Sequence, residues 1–444
     1  MIIELVIALA IGASAPLAQA PTGGDQPAAV SLSMEEAVKT ALERSFRVQR
    51  ANRNAEIAGR RVDVARAQNR PRLDVGLGAS QNQSYYDFQG NAFSFNRAEP
   101  QFSADATASA SLPLDISGVT RRQIRQSRYS QQSSELDRDQ ALLDTSTDVR
   151  AAYTTALRSQ EAVRADEEYL VRIDAVLVQA RTRQPSVVAF LETERSNADQ
   201  TLRSNRTTAD LSMQSLRLLI HVPRETKLVL TSQLPTAPSQ LPSTDMLLDL
   251  ATKNRVDLRQ SAIRLEQARL AEVQASDSRR PSVRITAYGS QRLNDELPNF
   301  RNFDGRTRSG GLVVTGSVPI FVVDGGQLRN QKRITQIQAE QALADRQEAT
   351  ERAENEINQV MIALNSAQTR LRNLPDVEQA LSALSRVENL MLAAPANDAP
   401  GFVAQVTNAR QNWRQAVVSR NEATAEFFSS YYRLQRSVGT EDLS

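Results

Sequence analysis

The chain has no cysteine, a single histidine, four lysines and few aromatic residues. Each shortage closes a class of function. Without cysteine there is no disulfide framework, no thiolate metal site and no lipid-bearing Cys after a leader. His221 has no second histidine with which to hold a metal or share base chemistry, and as a helix-end residue it needs neither role. None of Lys39, Lys227, Lys253 and Lys332 sits in a Gly-rich phosphate-binding context. With no His pair, no Cys and no convergent acid cluster, the sequence predicts no enzyme and no cofactor. Aromatics are 5% of the 444 residues and hydrophobic residues 40%. The mean hydropathy is −0.43. That composition suits long helices with narrow apolar seams better than a thick interior.

Charge of one sign is also lacking. Lys and Arg number 53 against 51 Asp and Glu, a net charge of +2. The two signs interleave along the helical stretches, which argues against a nucleic-acid partner. Met1 to Ala20 is apolar and ends Ala18-Gln19-Ala20, the form of a secretory cleavage site, although its start carries Glu4 and no Lys or Arg. We expect a signal peptide over 1–20 and a flexible N-terminus over 21–31. No later segment is apolar enough for a transmembrane helix, so insertion into a membrane would have to be by β-strands.

What is present is a duplication. Val62 to Ser80 runs from an Ala- and Arg-rich helical pattern through Arg70-Pro71 into alternating strand, and Pro281 marks its echo 210 residues later. Proline ends each helix because it lacks an amide proton and pushes the preceding residue toward extended geometry. Leu73, Val75, Leu77 and Ala79 then alternate with Asp74, Gly76, Gly78 and Ser80, and the chain returns with Phe102 to Leu112 alternating against Ser103 to Ser111. The return is about the ~9–11 residues of a membrane strand, apolar out and polar in. A loop with Tyr85, Tyr86, Phe88, Phe93 and Phe95 joins the two, and we read these aromatics as an interfacial girdle.

The rest of the first half is helical. Ser33 and Glu36 have capping-box spacing. Leu142, Val149, Ala156, Val163, Leu170 and Leu177 recur every seven residues in a breaker-free stretch from about Val119 to Ala180. Pro185 and Ser186 turn the chain into a return helix. Four prolines from Pro223 to Pro242 mark a linker. The second half repeats these events: a helix from about Thr244 to Asp277, strands around Val283 to Ala287 and Leu312 to Ile320, a long helix with a seam from Ile357 to Leu374, a kink at Pro375, a turn over Ala393 to Gly401, and a return helix closed by Gly439. Trp413 on that helix reads as seam packing. The boundaries are a first repeat over 32–220 with its strand hairpin at 72–115, a linker over 221–243, a second repeat over 244–439 with its hairpin at 282–321, and a tail over 440–444.

Four candidate membrane strands per chain cannot stand alone, because an open sheet in lipid leaves backbone groups unpaired. Two copies would give eight strands and three would give twelve; only twelve leaves a clear water-filled interior.

The Arg-Pro junctions at Pro71 and Pro281, the Leu112-Pro113-Leu114 and Val318-Pro319-Ile320 strand ends before glycine and a long helix, the starts Leu32-Ser33-Met34-Glu35-Glu36-Ala37 and Asn254-Arg255-Val256-Asp257-Leu258, and the ending with Leu434 and Gly439 together resemble the TolC-like outer-membrane efflux family. The resemblance covers essentially the whole mature chain. It implies α plus transmembrane β architecture: a homotrimer with a 12-stranded barrel in outer-membrane lipid, continued by a long α-helical coiled-coil tunnel in the periplasm. It also implies a passive duct of a tripartite efflux or type I secretion system, met by a periplasmic adaptor and an inner-membrane RND, ABC or MFS pump. Pro71, Pro113, Pro281 and Pro319 would mark the helix-to-barrel junctions. The helix turns would form the periplasmic gate, with Arg181, Arg183 and Asp398 as candidates, and the adaptor would touch the tips at Pro185, Ser186, Pro400, Gly401 and Phe402. Similar proteins often carry paired carboxylates early in the second return helix; counting back from Gly439, those positions here are Gln405 and Asn408, which are neutral. Two other readings are a structural coiled-coil surface protein, which predicts no polar-in hairpins, and the adaptor itself, which needs compact β-rich domains outside the two hairpins.

Overall fold

A computed structural model describes residues 30–83, 100–223, 225–226, 228–232, 238, 241–296, 305–318, 325–395 and 398–442. The expected signal peptide, the aromatics from Tyr85 to Phe95, and Pro319 with Ile320 lie outside these residues.

The described residues begin with a short strand, β1 (Val30–Leu32), whose first two residues fall within the expected flexible N-terminus. Helix α1 (Met34–Arg44) follows, started by the capping box: the Glu36 amide donates to the Ser33 hydroxyl, and the Ser33 amide donates to the Glu36 carboxylate at 2.8 Å. The helix predicted to run on to Pro71 breaks at Ser45, whose extended backbone (φ −61°, ψ 121°) separates α1 from α2 (Phe46–Ala67). Strands β2 (Arg72–Gln83) and β3 (Pro100–Leu114) form the first hairpin. Helix α3 (Val119–Arg183) is 65 residues, about 97 Å at ~1.5 Å per residue. A 3-10 turn at Pro185–Val187 leads into α4 (Val188–Leu219), and β4 (Leu228–Leu230) lies in the expected linker, paired in parallel with β1.

The second half repeats the pattern. Helix α5 (Thr244–Asn254) breaks from α6 (Val256–Gln274) at Arg255, which has the backbone of Ser45 (φ −64°, ψ 122°) and stands 210 residues after it. Strands β5 (Ser282–Glu296) and β6 (Gly305–Ser317) make the second hairpin. Helix α7 (Gln327–Arg372) ends before Pro375, and α8 (Val377–Ala393) starts anew with Asp376 accepting from the Glu378 amide. The interruption is thus a full break and not the predicted kink, because both the missing proline amide and a fresh N-cap stop the hydrogen-bond ladder. After a 3-10 turn at Ala399–Phe402, α9 (Val403–Val438) closes the chain.

All four long strands form one antiparallel sheet in the order β2-β3-β5-β6. The helices next to it keep that order, α2 packing on α3, α3 on α6 and α6 on α7. Farther from the sheet, α3 and α4 form one hairpin, α8 and α9 the other, and α3 packs on α9 between them. Burial follows three clusters. One joins α1, α3, α4, β1 and β4 around Tyr153, whose hydroxyl donates to the Leu32 carbonyl at 2.7 Å. A second joins α5, α7 and α9 around Ile357 and Phe427. The third fills the hairpin ends around Ile173, Leu191, Leu384 and Met391. The strict heptad predicted on α3 gives way toward its end: Tyr169, Ile173, Leu177 and Ala180 are buried while Leu170 is half-buried. A helix flanked by both α4 and α9 buries two faces, not one seam.

Two nodes tie the layers. Asp144 on α3, only 2% exposed, accepts from Arg47 of α2, from Arg436 of α9 at 2.8 Å and from Gln140 at 2.8 Å. Gly439 ends α9 at φ 83°, and a Cβ there would stand 2.8 Å from the Arg255 Cα. The left-handed backbone and the close approach to the α5/α6 break both require glycine. Gly439→Ala should therefore cost about 2–4 kcal/mol, the sum of a left-handed residue and an overpacked contact. Denaturant unfolding of the purified protein measures this; a loss below about 0.5 kcal/mol would show that the contact is not needed.

Candidate functional site

The sheet is two-faced, and register makes this visible across all four strands. Leu73, Ala110, Ala287 and Leu312 are cross-strand neighbours on one face, as are Val75, Ala108, Gly289 and Gly310. On the other face Asp74, Ser109, Tyr288 and Gly311 form a row, followed by Gly76, Thr107, Ser290 and Ser309. The apolar side chains are bare: Leu73 is 72% exposed, Leu77 86% and Leu312 70%. Leaving such a surface in water is unfavourable, whereas against lipid chains it costs nothing. The polar face is internally bonded. Ser80 and Ser103 share a hydroxyl hydrogen bond of 2.8 Å, Ser290 and Ser309 one of 2.7 Å, and Arg72 pairs with Asp74 at 2.8 Å. Gly78 leaves room for Asp105, whose Oδ1 would lie 2.6 Å from a Cβ there.

The outer strands of the sheet, β2 and β6, each have one edge without a partner among the described residues. Because every pairing is antiparallel, β2 and β6 run in opposite directions. The β2 of another copy can thus add to β6 without breaking the antiparallel pattern.

At the helix side of the sheet, Pro71 stands between α2 and β2 and Pro281 directly before β5. Arg72 is level with Ser111 and Thr286, so Pro71 lies at the same end as Pro281, four residues further along in register. A stagger of this kind accompanies tilted strands. Pro113 lies within β3, one residue from its end, opposite Arg284. The junction is held by charge: Arg122 pairs with Asp277 at 2.6 Å and donates to the Ser117 carbonyl at 3.0 Å, while Arg280 reaches Asp277 at 3.0 Å and Ser117 at 3.2 Å. Asp115 accepts from the Thr120 and Arg121 amides and so caps α3.

At the opposite end the two helix turns lie side by side, with the Gln184 side-chain Nε2 donating to the Ala394 carbonyl, again 210 residues apart. Arg181 pairs with Glu192 on α4 at 3.1 Å, whereas Arg183 is exposed. Pro185, Ser186, Pro400 and Gly401 are exposed, and Phe402 is half-buried against the tip cluster. Asp398 is exposed and shapes the turn through its backbone, its carbonyl accepting from the Gly401 amide at 2.9 Å. Gln405 and Asn408 are exposed on α9.

Sequence reasoning missed the buried charges just above this tip. Arg172 on α3 pairs with Glu388 on α8 at 2.9 Å, and Glu194 on α4 pairs with Arg410 on α9. Each pair spans 216 residues, with the signs exchanged between the hairpins. That reciprocity under the repeat was the one available signal. Arg410 lies 5.0 Å from the centroid of the Tyr169 ring, which in turn packs on Trp413. Burial dominates at both members of the Glu194–Arg410 pair: it pushes Glu194 up and brings Arg410 down to about 10, although each is the other's partner. Burial also raises Glu388, and Arg172 offsets this only in part. Beside these, Asp166 is raised by burial and accepts from Asn205 at 2.5 Å, next to a cavity of about 180 Å³ between α3, α4 and α9. Among the described residues no group of His, Asp and Glu is placed to hold a metal ion, and no helix is long and apolar enough to cross a membrane.

His221 follows the C-cap of α4 with φ 52°, where α9 uses Gly439, and the Phe46 ring meets it edge-on at 5.1 Å.

The fold is that of outer-membrane channels. The chain aligns with the outer membrane channel MtrE of Neisseria gonorrhoeae in its open state at 19% identity and a TM-score of 0.70, over 92% of this chain and 89% of that one. With the outer membrane channel CmeC of Campylobacter jejuni the values are 16%, 0.68, 92% and 87%. With the outer membrane protein VceC of Vibrio cholerae they are 18%, 0.64, 92% and 96%. No curated protein matches by sequence. Residues 37–219 match the sequence pattern of the outer membrane efflux protein family. Over residues 37–219 the chain is thus similar to that family, and over nearly its whole length it has the fold of these outer-membrane channels.

A pH dependence follows from Glu388. A carboxyl whose folded-state pKa is raised contributes stability that is present below its ordinary value of 4.5 and is lost as pH rises through the folded value. Stability of the parent should therefore decline across that window, and Glu388→Gln should show a shallower decline. Thermal unfolding measured from pH 4 upward tests this; parallel profiles would contradict it.

Proposed function

We propose that three copies close their sheets edge to edge into a 12-stranded barrel, and that their helices continue it as a tunnel through the periplasm. The assembly acts as a passive duct, not an enzyme. It serves a tripartite efflux or type I secretion system, receiving substrate from an inner-membrane pump through a periplasmic adaptor. The observation that carries this reading is the sheet itself: bare apolar residues on one face, a bonded polar face on the other, and two free edges of opposite direction. A coiled-coil surface protein would have no use for such a sheet. Among the described residues the strands outside it are the short β1 and β4, which form no compact β-rich domain of the adaptor kind.

Within this reading the repeats are 32–220 and 244–439, joined by 221–243. Pro71, Pro113 and Pro281 mark the rim where tunnel meets barrel. The two turns form the periplasmic mouth, with Arg181, Arg183, Asp398, Gln405 and Asn408 nearest the opening. Pro185, Ser186, Pro400, Gly401 and Phe402 form the surface offered to the adaptor. Gln405 and Asn408 leave α9 without a carboxylate ring at that height, so the mouth is neutral there.

The purified protein from outer-membrane fractions should migrate as a trimer until heated and should conduct ions in planar bilayers. Recovery as a monomer in the soluble periplasm would overturn the proposal.

A further inference from the structure

Two successive rows interrupt the apolar face of the sheet, one with Arg306 opposite Leu293 and, nearer the helices, the row of Arg308. Leu77, Ala106, Gln291 and Arg308 are cross-strand neighbours, so the last two place an amide and a guanidinium where their neighbours place hydrocarbon. Asp295, opposite Phe102, shares that face by register but stands two pairs beyond Gln291, toward the far end of β5. From Ala104 to Leu114 the outward positions of β3 are only Ala and Leu, and those of β5 from Val283 to Gly289 are Val, Ile, Ala and Gly. The outward residues of β2, which a neighbouring copy would bring against β6, are Leu73, Val75, Leu77 and Ala79. Closure of a barrel therefore brings no acid to Arg308 from these β2 positions.

Directly beneath this pair on the side toward the helices, Gly289 and Gly310 face each other across the ladder. A Cβ on Gly289 would meet nothing within 4 Å. The two glycines leave a shallow notch floored by backbone, with Gln291 and Arg308 on one side and Ala287 and Leu312 on the other.

The depth of the row follows from its register. From Gly316 near the helix end of β6 to Arg308 is eight residues, about 26 Å along a strand at ~3.3 Å per residue. A tilt of ~40° leaves roughly 20 Å of height, close to the ~25 Å apolar band of a membrane barrel. Arg308 thus stands at the interface farther from the helices, where an outward arginine is tolerated, and not at the midplane, where it is costly.

We propose that Arg308 and Gln291, with the Gly289–Gly310 notch, form a binding site for an anionic, phosphate-bearing lipid headgroup of the outer leaflet. The guanidinium offers two parallel N–H donors to phosphate oxygens. The Gln291 amide gives a further donor, and one acyl chain lies in the notch. This rests on the outer-membrane placement of the sheet.

The test is native mass spectrometry of the detergent-purified full-length protein titrated with diphosphorylated lipid A, phosphatidylcholine or inorganic phosphate. The parent should retain lipid A in preference to phosphatidylcholine. Arg308→Gln should weaken retention on the order of tenfold, the scale of one charge-assisted pair. Gly310→Leu, which fills the notch, should weaken it as well, and Arg292→Gln on the polar face should not. Equal retention by the parent and Arg308→Gln would overturn the site. So would equal retention of phosphatidylcholine, which indicates a nonspecific annulus, or displacement by inorganic phosphate, which indicates a free-anion site. Either result in a protein that still purifies as an outer-membrane trimer leaves the channel reading intact, whereas a protein that never enters the membrane overturns that reading first.

Discussion

A β-sheet in lipid cannot keep an open edge. Each backbone group left unpaired in hydrocarbon costs several kcal/mol, and the free edges of β2 and β6 carry a row of such groups along strands of 12 and 13 residues. Among the described residues no fifth or sixth strand lies near the sheet to cover them, since β1 and β4 are three residues each and pair only with one another. Most of the architecture answers that constraint. The edges run in opposite directions, the pairing holds its register without a slip in every ladder, and the helices repeat the strand order, with α2 and α7 outermost as β2 and β6 are. A one-residue slip in any strand would reverse its faces.

Duplication gives the chain two copies of each device, and the places where they differ are informative. Ser45 and Arg255 break their helices with nearly the same dihedrals, 210 residues apart, yet only Arg255 is braced by a following helix end at Gly439. The corresponding end of α4 has His221 in the left-handed region, with the Phe46 ring against it. At the tip the second turn is longer than the first, and the buried pairs Arg172–Glu388 and Glu194–Arg410 cross between hairpins with their signs exchanged. Removing one member of such a pair strands a buried charge, which makes these contacts harder to break than surface pairs like Arg181–Glu192.

The strands, their faces and the Arg-Pro junctions were legible because a period of two and a proline are local signals. The full break at Pro375 was half legible: proline marked the place, but Asp376 as a new N-cap decided that a second helix would start. The breaks at Ser45 and Arg255 were not legible, since neither residue is Gly or Pro and both sit in continuous helical patterns. Asp144, Glu388 and Arg410 were hidden for a related reason. In a sequence with interleaved charges, a buried carboxylate that two arginines approach from other helices looks like any solvated one. Leu170 failed as a seam residue because α3 serves two neighbours, which a single heptad cannot describe.

The central claim is that β6 of one copy pairs with β2 of the next. Within one chain these strands are three ladder spacings apart, about 14 Å at ~4.8 Å each, well beyond the ~7 Å between Cα atoms that a disulfide can span. The chain is free of cysteine, so cysteines placed at Val75 in β2 and at Leu312, Val314 or Gly316 in β6 can oxidise only between copies. The account predicts that at least one of these pairs yields a covalent trimer resistant to heat and detergent. Covalent dimers as the largest product, or no cross-link from any pair, would contradict it.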